Sequence, residues 1–466
     1  MGRYFRTPAR LGRCWTIVLA ALALLGLASC GSGSRLSGLA ADEQAGLAVP
    51  LLFGPESSGL PSEVDRQFGL GGLRGVSALS WGSPVTVDNR AWGLNIDQQA
   101  MAVINGNPAI AFAFATKVKG GQTWPVSIAY IRATDAGGNA WGRVKVAVPG
   151  DPKKYTPSQV YTAESLALVN GNPAISYYAP QSQDLCFVRA TDASGNAWGA
   201  PLTVDSAGDV GSSSSLAIID GKPAIAYRDT TNRVIKYVYS ANANGSAWGS
   251  PQVLETGGYF SWPNLVQVNG NPAVCFTQHG TAADSTEFEL HYIRASDQTG
   301  AAWGSPVTII SDSTPGETYP VYWQTSMVIV DGNPAICFTK RLALNGPDTV
   351  CFVRAVDVDG SAWGAAATLD DGGSAGFASN GSMAVVNGLP TVSYLRMDSW
   401  PGGGYLLSLN SVQATAADGS AWEAPQFVTG GGLRSSLVAL PGGEVAVAFE
   451  SGNEAMGMSV KYVRGQ

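Results

Sequence analysis

The sequence predicts an all-β chain folded as a seven-bladed β-propeller, with four antiparallel strands in each blade. Three observations predict it. A strand led by tryptophan recurs every 50–60 residues, a hairpin phrase built on Asn-Gly or Asp-Gly recurs between those tryptophans, and the two ends of the array carry complementary incomplete units. A period of that size holding four short strands is a propeller blade.

The tryptophan strands begin at Trp81, Trp141, Trp198, Trp248, Trp303, Trp363 and Trp422. The hairpins read MAVINGNPAIAF from Met101, LALVNGNPAISY from Leu166, LAIIDGKPAIAY from Leu216 and LVQVNGNPAVCF from Leu265. They continue as MVIVDGNPAICF from Met327, MAVVNGLPTVSY from Met383 and a worn copy, LVALPGGEVAVAF, from Leu437. Asn-Gly and Asp-Gly suit the positive φ angles of a two-residue hairpin turn, and the flanking runs are short, apolar and β-rich. A further strand such as CFVRATDASGNAWG leads into each next tryptophan. The hairpin thus supplies strands a and b, the linking strand is c, and the tryptophan strand is d.

The phase of the repeat predicts closure. Trp81 opens a d strand with no a, b or c before it, and the chain finishes on a c strand, MSVKYVRGQ, with no d after it. Pairing the first strand with the last blade closes the ring and removes two exposed sheet edges. A solenoid would gain nothing from that offset.

The turn between c and d has constant length. Glycine lies three residues before the tryptophan at Gly138, Gly195, Gly245, Gly300, Gly360 and Gly419. Aspartate lies six before it at Asp135, Asp192, Asp297 and Asp357, and arginine nine before it at Arg132, Arg189, Arg294 and Arg354. This pattern resembles the Asp-box (BNR) repeat of sialidase-like propellers, though two residues separate Asp from Gly where that family has one. The resemblance implies the architecture. It does not carry the chemistry, because the family's early Arg-Ile-Pro element is missing and the arginines present belong to the repeat. Residues found in most blades are read as framework: tryptophan filling space between blades, aspartate accepting from turn N–H groups.

Residues 1–29 read as an export signal. Arg3, Arg6, Arg10 and Arg13 form a basic n-region, and the apolar run Cys14–Leu27 is short for a membrane span. It ends in Leu27-Ala28-Ser29-Cys30, which resembles the bacterial lipobox. That resemblance implies cleavage before Cys30, lipidation of Cys30, and residence in the cell envelope, at the outer membrane or cell surface. Residues 30–78 are expected to be a flexible tether, and 79–466 the propeller. Removing the signal leaves 24 basic against 35 acidic residues. So acidic a surface, without a basic stripe, excludes nucleic acid as a partner. A monomer touching the membrane only through its lipid is expected.

Few residues offer chemistry. Of two histidines, His279 reads as a loop residue, and His291 occupies a c-strand slot filled elsewhere by Ala129, Cys186, Lys236, Cys351, Asn410 and Lys461. Such variety predicts partial exposure. Cys275 and Cys337 share a b-strand slot that otherwise holds Ala or Ser, so a small side chain is wanted there. A two-residue turn at Asn345-Gly346 would set residue 337 opposite 354, although a bridge from Cys337 to Cys351 on the neighbouring strand stays open. Asp357-Val358-Asp359-Gly360 lacks the remaining ligands of a calcium loop. No cofactor, metal or catalytic residue is implied.

Specificity is expected in the loops that vary. The a–b and c–d turns are uniform, whereas b–c and d–a differ in length and emerge together on the opposite face. Their aromatics are Tyr155, Tyr161, Tyr259, Phe260, Trp262, Tyr319, Tyr322 and Trp323 in d–a loops, with Trp124 and Trp400 in b–c loops. Aromatics beside Asp, Asn and Ser suit stacking on sugar rings or capture of a protein. The leading expectation is a surface-anchored, non-catalytic propeller that binds a glycan or an envelope protein. An extracellular glycoside hydrolase or lyase and an envelope assembly scaffold are the alternatives.

Overall fold

The computed structural model describes residues 79–466 apart from 92–98, 116–125, 151–161, 280–286, 314–323, 342–347, 374–376, 400–404, 433 and 454–456. Seven four-stranded antiparallel sheets form a seven-bladed propeller. The first blade comprises strands Gln99–Ile104, Asn107–Ala115, Val126–Arg132 and Lys145–Val148. Six blades follow this order of a, b, c and d. In the seventh, Ser435–Ala439, Val445–Asn453 and Gly457–Gly465 are completed by Val85–Ala91 from the start of the ring. Val85 pairs with Tyr462 and Thr86 with Lys461, and Trp81 bridges Gly465.

The hairpin turns take the conformation their residues favour. Asn105 and Gly106 have φ of 46° and 84°, Asp331 and Gly332 of 46° and 81°, as a twisted two-residue turn requires. Strand a is innermost and packs against the a strands of adjacent blades. Strand d is the outer edge, and Pro201, Pro251 and Pro306 stand just before it, where a missing N–H blunts pairing with other chains.

The core lies between blades. Six of the seven repeat tryptophans meet an aromatic on strand c of the preceding blade: Trp141 on Tyr462, Trp198 on Tyr130, Trp248 on Phe187, Trp303 on Tyr237, Trp363 on Tyr292 and Trp422 on Phe352. All six pairs are edge-to-face at 5.0–5.2 Å. The glycine three residues earlier lies against the same aromatic. A Cβ on Gly300 would come within 2.6 Å of the Tyr237 ring, and its φ is +74°, so space and backbone both demand glycine.

The other repeat residues hold turns. Asp135 Oδ1 accepts from the N–H groups of Gly137 (3.0 Å) and Asn139 (3.1 Å), and Oδ2 from Ala140 (2.8 Å). Arg132 Nε donates to the carbonyl of Ile104 (2.9 Å) and Nη2 to that of Asn105 (3.0 Å), tying the c strand to the a–b turn. Arg189, Arg294 and Arg354 repeat both bonds.

Two expectations need correction. The slot of His291 is buried rather than half-open: Ala129, Cys186, Lys236, Cys351 and Asn410 are buried there, and His291 itself is 6% exposed. The fifth-blade hairpin also has another register. Cys337 lies opposite Phe352, and Arg354 opposite Ala335. Cys351 faces Phe338, one residue along, so the two thiols point to opposite faces of the sheet. Cys337 packs with Phe352 and Cys351 with Phe338, in separate core clusters. Cys186, Cys275, Cys337 and Cys351 are all free and buried.

The small-residue slot has a physical cause. The b strand there meets the a strand of the next blade. Ser176 bonds Ser214 (2.9 Å), Ser393 bonds Ser435 (3.0 Å), and Cys275 Sγ lies 3.7 Å from Thr325 Oγ1. Burial pushes the Cys275 thiol up to about 12, which makes it inert.

Candidate functional site

The face carrying the d–a and b–c loops is built on the ends of strands a, b and d. A ring of hydrogen bonds joins the a strands beneath it. Ser215 Oγ accepts from the N–H of Leu265, Asn264 Oδ1 from Met327 and Ser326 Oγ from Met383, each at 3.0 Å. Ser382 Oγ accepts from Leu437 at 2.9 Å and Ser436 Oγ from Met101 at 3.0 Å. In each case the polar residue just before the apolar run of one blade holds the start of the run in the next. The Ser or Asn directly before the hairpin phrase is the sequence signal for this ring.

Two residues before that slot, the bulged a strand takes a left-handed backbone in three blades, at Ser213, Trp262 and Asn380, with φ of 54°, 52° and 57°. Asparagine tolerates that conformation, whereas a bulky side chain there is an outlier. Trp262 is half-buried, and its carbonyl accepts from the Thr325 hydroxyl of the next blade at 2.7 Å. The bulge therefore fixes Trp262 on the innermost strand, near the end where the d–a loop enters.

The predicted aromatics divide accordingly. Tyr259, Phe260 and Trp262 belong to strand Tyr259–Val268 rather than to a loop. Phe260 is 1% exposed and edge-on to Phe276 at 5.5 Å, so its ring is core and unavailable to a ligand. His279 likewise ends strand Asn271–His279. Trp124, Tyr155, Tyr161, Tyr319, Tyr322, Trp323, Trp400 and Cys30 lie outside the described residues.

Charged clusters sit between blades towards the same face. Lys236 lies 2.6 Å from Asp229 and 3.1 Å from Asp205, and Asp205 also accepts from the Tyr227 hydroxyl at 2.6 Å. Burial alone would lower the pKa of Lys236, but Asp229 and Asp205 outweigh it and hold the amine protonated. The same device recurs between the fifth and sixth blades. Arg396 bonds Asp370 (2.7 Å) and Asp398 (3.1 Å), and Tyr394 donates to Asp370 at 2.7 Å. His291 stacks on Phe276 at 5.3 Å and lies 3.0 Å from Glu289. Burial lowers its pKa, and the nearby carboxylates of Glu289 and Glu255 offset part of that. Lys236 and Arg396 are thus committed to carboxylates across blade interfaces, at Asp205 and Asp370, while His291 and Glu289 pair within one strand. Among the described residues, no group of three or more His, Cys, Asp or Glu side chains is placed to hold a metal ion.

No family model and no curated protein matches the sequence. Solved structures similar to it include a protein of unknown function from Dyadobacter fermentans, at 11% identity and TM-score 0.48, covering 84% of this chain and 100% of that one. The Trypanosoma rangeli sialidase aligns at 12% identity and TM-score 0.44, over 84% of this chain and 60% of its own. An α-L-arabinofuranosidase from Lactobacillus brevis aligns at 12% identity and TM-score 0.35, over 54% and 89%.

Proposed function

We propose that this chain is an exported, lipid-anchored propeller that binds a glycan, or a protein partner, non-catalytically through its d–a/b–c face. The observation that carries the reading is Trp262. A left-handed backbone costs a residue of this size about 1–3 kcal/mol, yet an indole stands at a bulge where other blades place Ser213 and Asn380. Its position on the innermost strand suits a stacking platform for a sugar ring. The buried acids and bases nearby are already engaged in ion pairs, which favours binding over acid–base chemistry. The anchor rests on the lipobox-like end of the signal at Cys30.

A glycan array probed with the full chain tests the binding reading. Discrete sugar hits that Trp262→Ala weakens support it; released product marks an enzyme, and silence a scaffold. Cys30→Ala should move the protein out of the detergent-soluble membrane fraction. Unchanged partition, with no acyl label on the wild type, would sink the anchor.

A further inference from the structure

The third blade breaks the framework on the opposite face, and an open pocket lies beside the break. In the first, second, fourth and fifth blades strand c ends in an arginine that ties down the a–b turn, and strand b starts with an asparagine; the sixth blade has Gln413 and Leu389 there. Asn107, Asn172, Asn271 and Asn333 each donate to the carbonyl at the end of strand c at 2.9 Å. In the third blade these positions are Tyr239 and Lys222, and the turn aspartate is Asn242. Tyr239 reaches the carbonyl of Ile219 only at 3.4 Å.

A bridge that four other blades make to the next blade is also missing there. Asn105 donates to the carbonyl of Ala193 (2.6 Å), Asn170 to Asn244 (2.7 Å), Asn269 to Asp359 (2.8 Å) and Asn387 to the carbonyl of Gly443 (2.7 Å). Each bond joins an a–b turn to the following blade. Arg294 reinforces one crossing by pairing with Asp359 at 3.1 Å. The third blade has Asp220 in the donor position, and facing it is Thr299, whose hydroxyl donates to Asp297 at 2.7 Å. Among the described residues no hydrogen bond crosses from Asp220. Beside this gap lies an open pocket of about 420 Å³ lined by Lys222, Tyr237, Tyr239, Gln252, Thr299 and Ala301.

We infer that this cavity is a second binding site, for a carboxylate-bearing molecule of monosaccharide size such as a uronic acid. Its volume suits one small ligand. The Lys222 ammonium lies 5.3 Å from the centre of the Tyr239 ring and has no ion-pair partner among the described residues. A carboxylate therefore gains a cation without displacing an existing pair. Gln252 and the Tyr239 hydroxyl supply groups suited to sugar hydroxyls. The site is independent of Trp262, which lies on the other face.

Calorimetric titration of the full chain with glucuronate, glucose and inorganic phosphate tests the assignment. Saturable binding of glucuronate, at least about tenfold tighter than glucose or phosphate, is expected. Tyr239→Arg and Lys222→Asn install the residues of the neighbouring blades, so they should close the cavity and abolish binding without lowering the melting temperature. Lys222→Gln leaves the cavity open and should lose only the preference for glucuronate. No binding by the wild type, equal binding of glucose or phosphate, or full binding by Tyr239→Arg would each overturn the proposal.

Discussion

Trp81 donates its indole N–H to the hydroxyl of Ser411 at 3.0 Å, across 330 positions of sequence. Ser411 occupies the c-strand slot that holds Tyr130, Phe187, Tyr237, Tyr292, Phe352 and Tyr462 in the other blades. One interface in seven thus replaces an edge-to-face aromatic pair with a hydrogen bond, and it is the interface made by the strand that closes the ring.

Closure gives the first prediction. Deleting residues 79–90 removes Trp81 and most of strand Val85–Ala91, exposing strand Gly457–Gly465 as an open edge. A lower melting temperature or aggregation is expected, whereas deletion of 31–70 should cause neither. Ser411→Ala should cost about 1 kcal/mol. Equal melting of the two truncations would contradict the closing role of the first strand.

The interblade aromatic pairs give the second. Trp198→Ala removes the half-buried partner of Tyr130 and should cost about 3 kcal/mol, the low end for an aromatic changed to alanine. Gly300→Ala sets a methyl group into the Tyr237 ring and strains a backbone at φ +74°, so a single methyl should also destabilise by more than about 1 kcal/mol. Denaturant unfolding of both variants measures this, and a neutral Gly300→Ala would show that the turn can shift.

Much of this was legible because a repeat shows its framework many times. Asn-Gly turns, Trp141, Gly138, Asp135 and the orphan strand at Trp81 were readable from spacing. What each blade does once was not. Nothing local distinguishes a loop from a bulged strand at Trp262, since the bulge comes from pairing with strand Asn271–His279. The burial of Phe260 and His291 likewise depends on Phe276, which only the fold brings beside both. The cysteine register differs because strands b and c of the fifth blade last pair at Arg341 and Asp348, so their connection is centred one residue before the Asn345-Gly346 pair.

Acid should attack the turns, which is the third prediction. Burial pushes the Asp297 carboxyl up slightly, but hydrogen bonds from Thr299, Ala301 and Ala302 outweigh it and hold the pKa at about 2. Asp135, Asp192 and Asp357 are lowered in the same way. A folded pKa below the unfolded value of about 3.9 means stability fully present above pH 4 and lost as pH falls towards 2. Asp297→Asn should lower the melting temperature at pH 7, and the gap from wild type should close between pH 4 and 2. A gap independent of pH would show that charge on Asp297 contributes nothing.

The last prediction separates a binding residue from a core residue two positions away. Trp262 and Phe260 share a strand, but Phe260 is sealed against Phe276 while Trp262 is half-buried on a left-handed backbone. Phe260→Ala should cost about 3–5 kcal/mol through the cavity it leaves. Trp262→Gly relieves the backbone strain and loses some packing, so its stability should stay within about 1 kcal/mol of wild type. If the indole is a sugar platform, Trp262→Gly should nevertheless weaken glycan binding by about tenfold or more, the scale of one lost stacking contact at about 1.4 kcal/mol. Melting curves and array binding on the two variants measure both halves. Should Trp262→Gly destabilise as much as Phe260→Ala, the indole is core, and the d–a/b–c face loses the residue that most supports its role in recognition.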